Sequence, residues 1–82
     1  MSVQNEMRRV RLTNLEHTAR KLRLEIAALC KIICINLDLG LFSKPDDLPI
    51  AETDSQWDEL KSKWADLIAT QEEIKRLEEE LK

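Results

Sequence analysis

Two cysteines four residues apart, Cys30 and Cys34, are the first candidates for chemistry in this 82-residue chain. On a helix that spacing puts both thiols on one side. A closed zinc site takes four ligands, usually Cys and His. The chain's one histidine, His17, lies more than three helical turns away, so four ligands could gather only across a dimer axis. The simpler reading is two small apolar side chains buried between helices. His17 sits between Glu16 and Arg20 with no nucleophile in the pattern, and reads as a surface residue. No Ser, His and Asp form a nucleophilic arrangement, and no Gly-rich phosphate loop occurs. We expect no enzyme, no cofactor, no metal and no small-molecule substrate.

Charge is the other candidate. The run RRVRLTNLEHTARKLR, residues 8–23, could grip phosphates. It lacks interleaved aromatics, and the chain carries its own acidic counterpart in Glu72, Glu73, Glu78, Glu79 and Glu80. Residues 1–45 hold eight basic and four acidic side chains, and residues 46–82 hold five and twelve. Such a split fits two halves that pair with each other. A nucleic-acid-binding helix pair is the weaker alternative.

The elements that position these groups are helices. One Gly, two Pro, scarce aromatics and 35% charged residues make a long-helix composition. The organising stretch is Ile26–Phe42, IAALCKIICINLDLGLF. Between Ile26 and Leu37 only Lys31 and Asn36 break an apolar run. A helix apolar all round is covered on several sides, and a chain this short has little to cover it with. Leu12, Ala19, Ile26 and Ile33 fall at heptad a positions, and Leu15, Leu22, Leu29 and Asn36 at d, the pattern of a packed seam. A first helix is expected over about 6–38, after a frayed start. Gly40, the lone glycine, is expected as a left-handed cap. In the loop, about 39–53, Leu41, Phe42, Leu48 and Ile50 are expected to fold back as an apolar plug.

A second helix is expected over about 54–82. Thr53, Asp54 and Ser55 are good N-caps, and Ser55 with Asp58 imitates a capping box. A start at Pro49 is also compatible, because proline is tolerated in a first turn. The apolar stripe reads Trp57, Leu60, Trp64, Leu67, Ile68, Ile74, Leu77 and Leu81. Glu59–Lys63, Glu72–Arg76 and Glu78–Lys82 are expected as i,i+4 pairs. The sequence stops at EEELK without a helix stop signal, as a piece of a longer coiled coil would.

Leu22, Leu24, Glu25, Ile26, Leu29, Cys30, Ile33 and Leu37, then an acidic Pro-containing loop, then a charged helix with Leu60, Leu67, Leu77 and Leu81, together resemble the N-terminal region of spindle-midzone crosslinkers. These are the antiparallel-microtubule bundlers of the anaphase spindle elongation type. The resemblance covers residues 22–82 and is one of pattern. It implies a homodimer whose N-terminal helices join two long rods, a microtubule-binding domain elsewhere in the chain, and a docking place for motor proteins.

The expectation is therefore all-α: one antiparallel hairpin of two long helices that dimerises into a four-helix bundle. The expected interface is Leu22, Ile26, Leu29, Ile33, Asn36, Leu37, Leu41, Phe42, Trp57, Leu60, Trp64 and Leu67. The expected role is non-enzymatic scaffolding, in a spindle if the resemblance holds. The first alternative is a subunit of a heteromeric kinetochore, tethering or chromatin complex. No apolar run is long enough to span a membrane and no signal-peptide h-region is seen; Cys30 and Cys34, four apart on a helix, are poorly placed for a disulfide with each other, and an intracellular, reducing compartment is expected.

Overall fold

A 40-residue helix, α1, runs Val3–Phe42, and a 31-residue helix, α2, runs Ile50–Glu80. A single 3-10 turn at Pro45–Asp47 joins them. The structure, a computed structural model, describes residues 3–82; of the stretch expected to fray, Met1 to about Asn5, the first two residues lie outside those described and Val3–Asn5 are helical. The helices return antiparallel in a rod of 64 × 15 × 14 Å, the length that 40 residues at ~1.5 Å each require.

The expected stop near Leu37–Gly40 does not occur. Gly40 is helical, with no positive φ. Its missing side chain serves a different purpose: a Cβ there would lie 2.8 Å from Leu48 Cδ2. Glycine lets the linker cross the helix at contact distance. The stop comes from Pro45, which pushes the preceding residue out of the helical region; Lys44 is extended at φ -87, ψ 135. Of the expected plug, Leu48 alone closes on α1. Leu41, Phe42 and Ile50 are exposed, Phe42 at 86%, because α1 carries the first two past the seam before the chain turns.

The start of α2 is the earlier one. Pro49 is the N-cap, without a side-chain capping bond. The Thr53 amide donates to the Pro49 carbonyl at 2.9 Å, so Thr53, Asp54 and Ser55 already lie inside the helix. Proline wins because it supplies helical φ and has no N–H to leave unpaired.

The a and d positions of α1 all face α2: Ala19, Leu29 and Ile33 are buried, and Leu12, Leu15, Leu22, Ile26 and Asn36 are half-buried. The facing row on α2 alternates in steps of three and four through Thr53, Gln56, Leu60, Lys63, Leu67, Thr70, Ile74 and Leu77. Leu77 is the one buried residue of that helix. This seam is partly polar. Asn36 Nδ2 donates to Gln56 Oε1 at 2.7 Å, and Lys63 reaches across to Glu25. Two helices bury only four side chains among the described residues, which leaves the hairpin thinly cored.

Candidate interaction surface

The rod has two broad faces, one on each side of the seam, and they differ in chemistry. One is charged. On α2 it carries Glu52, Glu59, Asp66, Glu73 and Glu80, an acid at every seventh residue. Arg8 Nε lies 3.4 Å from Glu80 Oε2, Arg11 pairs with Glu73, and Lys63 with Glu25. These three bridges join α1 to α2 in antiparallel register; Arg8 and Arg11 match the basic start of α1 to the acidic end of α2, and Lys63–Glu25 pairs the helices mid-rod with the charges reversed. Of the expected i,i+4 pairs, Lys63 turns to Glu25 instead of Glu59, and Arg76 bridges to Glu73 at 3.6 Å instead of Glu72. The hydrogen bond from Lys63 holds the Glu25 carboxyl below its ordinary value, against an opposing desolvation. The same bond raises Lys63.

The other face is apolar toward the loop. Trp57 and Trp64 follow the seam positions Gln56 and Lys63 by one residue each. That single-residue offset turns them about 100° away from the seam, onto its margin. They are 50% and 58% exposed. With Cys30 and Lys61 they line a groove over Ile26 and Leu60. The groove continues toward the loop between Leu37 and Ile50. Toward the open end of the hairpin the same face turns polar, with Glu16, Arg20, Arg23, Gln71 and Glu78 around Ala19 and Ile74.

The residues expected at a partner interface therefore divide. Leu29 and Ile33 are buried inside the hairpin, and Leu22, Ile26, Asn36, Leu60 and Leu67 are half-buried along its seam. Leu37, Trp57 and Trp64 lie on the apolar face, and Leu41 and Phe42 stand exposed at the end of α1. The tryptophans belong to this lateral face, not to the seam between the helices. Cys30 and Cys34 are exposed, not buried as expected; their positions, one and five residues after the seam residue Leu29, could have shown this. A further stripe went unread: Ile32, Ile35, Leu39 and Phe42, at intervals of three, four and three, are all exposed on α1.

No group of three or more His, Cys, Asp or Glu side chains among the described residues could hold a metal ion. His17 Nδ1 lies 3.5 Å from Arg20 Nη2 on an exposed surface. No helix of the described residues is long and apolar enough to cross a membrane. Comparison with protein-family models, with curated proteins and with solved structures finds no match.

Proposed function

We propose that this chain is a non-enzymatic oligomerisation module, a helical hairpin that pairs with a second copy through its Trp57–Trp64 face. The observation that carries the reading is the exposure of large apolar side chains on an ordered helix pair. Trp57, Trp64, Leu37 and Ile50 are each at least half exposed along one continuous groove. With aromatic side chains offering ~150–250 Å² each and aliphatic ones somewhat less, the face presents roughly 500 Å² of apolar surface per copy. Two copies together cover about 1,000 Å², the threshold for a specific interface. The charged face is a poor rival, because Arg8, Arg11 and Lys63 already engage acids within the chain, and a partner's acidic row finds few free cations there.

Sedimentation velocity on the purified chain tests this. A species of twice the 9.6 kDa chain mass supports it. A folded monomer at all accessible concentrations refutes it.

The wider setting of a spindle-midzone crosslinker, with its motor partners, rests on the leucine and isoleucine spacing alone. A heteromeric scaffold is a second reading with an observation of its own. The stripe Ile32, Ile35, Leu39 and Phe42 lies off the Trp face, and pairing through that face leaves it for another helix. Phosphate binding by the basic run has less footing, because Arg8 and Arg11 already engage Glu80 and Glu73.

A further inference from the structure

We infer that the stripe Ile32, Ile35, Leu39 and Phe42 docks a basic amphipathic helix of another protein, one whose apolar row is flanked by lysines or arginines. This supplies the chemistry of the partner in the heteromeric reading above, on which it rests, and is independent of pairing through the Trp57–Trp64 face.

The stripe lies on the loop half of the charged face. Arg11 and Glu73 meet across the seam on that face. Ile32 and Leu39 follow Arg11 by whole heptads, so they share its row on α1, and Glu52 and Glu59 precede Glu73 by whole heptads on α2. The contacts Glu25–Lys63 and Asn36–Gln56 fix the register between the helices. Ile32 therefore comes about level with Glu59, and Leu39 with Glu52. Toward the open end, Arg8 and Arg11 engage the acids of this row. Toward the loop the α1 row is apolar, and among the described residues Glu52 and Glu59 make no ion pair; Lys63, one turn from Glu59, bonds Glu25 instead. On the outer edge of the stripe stands Asp38, three residues after Ile35 and four before Phe42, the spacing of neighbours on a helix. Lys31 borders the stripe four residues before Ile35. Three exposed carboxylates and one ammonium thus frame four exposed apolar side chains.

The 3-4-3 spacing of the stripe covers about three turns, ~15 Å of helix, and such a row packs against the ridges of another helix. The carboxylates select its charge. Flanking lysines or arginines would meet Asp38, Glu52 and Glu59, whereas flanking acids would repel them. This chain's own basic apolar segment, Met7 and Val10 with Arg8 and Arg11, has those two cations held by Glu80 and Glu73. A partner that brings its own cations is the better occupant.

A synthetic helical peptide of about four turns, with leucines at intervals of three and four and lysines on both sides of the row, provides the probe. Labelled with fluorescein and titrated with the full chain, it should show saturable anisotropy that weakens as salt rises. A version with glutamate for every lysine should not bind. Ile35→Ser with Leu39→Ser should weaken binding roughly thirtyfold, since about half of each side chain is there to be covered. Asp38→Asn with Glu52→Gln and Glu59→Gln should weaken it roughly tenfold, as three exposed ion pairs would, and flatten the salt dependence. All five positions are exposed, so circular dichroism should show unchanged helicity in both variants, and Trp64→Ala should bind the peptide as the parent does. Absence of saturation, or binding that survives Ile35→Ser with Leu39→Ser, overturns the docking site. Equal or tighter binding of the glutamate peptide at the stripe overturns the basic partner and leaves a heteromeric contact standing. Neither result touches the Trp57–Trp64 pairing, which sedimentation of the chain alone decides.

Discussion

Replacing Trp64 by alanine is the sharpest test of the apolar face. Trp64 is 58% exposed, so about 140 Å² of a ~250 Å² side chain is available to a partner. At ~25 cal/mol per Å² that is ~3.5 kcal/mol per copy, an upper value. Truncated interface anchors lose ~2–4 kcal/mol, so the dissociation constant of the dimer should rise at least ~100-fold. Dilution series by sedimentation velocity measure it, and Trp57 fluorescence reports the same transition. Helicity at 222 nm in the concentrated sample should change little, because Trp64 lies beside the seam and not in it. Ile35→Ala, 54% exposed on the other side of α1, should leave the dissociation constant unchanged. Equal constants for the Trp64→Ala and parent chains would refute the reasoning, as would a loss on Ile35→Ala that matches the loss on Trp64→Ala.

Ile33→Asp places an unpaired charge at a buried seam position; circular dichroism should show loss of most helicity, whereas Arg23→Ala should shift the melting temperature far less. Gly40→Val sets a branched side chain where Leu48 already lies; overpacking of ~1–3 kcal/mol should lower the melting temperature and open the linker to protease. The Glu25–Lys63 pair sets two pH limits. Glu25 is held below its usual 4.5, so its contribution is complete above pH 4.5 and fades as the pH falls through the lowered value. Lys63 is raised above 10.5, so its contribution is complete below pH 10.5 and fades as the pH climbs through the raised value. Melting temperature against pH should fall at both ends, and Glu25→Gln should flatten the part of each limb that this pair contributes.

Helix 1 was readable because its a and d positions are apolar almost without interruption, and the same residues face α2. Helix 2 misled where its apolar residues and its seam differ. Trp57 and Trp64 complete a convincing stripe with Leu60 and Leu67, yet Gln56 and Lys63 take the facing positions. Asn36 and Glu25 lie opposite those two and satisfy them, so the polar layers cost little and the indoles are displaced to the margin. Gly40 misled for a related reason. A glycine after a periodic run signals a cap locally, but its use here depends on Leu48, eight residues on, which no local pattern reveals.

By itself the sequence determined that this protein is two long helices, that they run antiparallel, and that residues 26–42 carry more apolar surface than one chain can cover. Those properties come from local spacing, proline placement and the charge of each half. Which apolar side chains close the hairpin and which remain outward was decided by tertiary structure alone. A helix can turn only one stripe toward its neighbour, and the best stripe depends on what the neighbour presents.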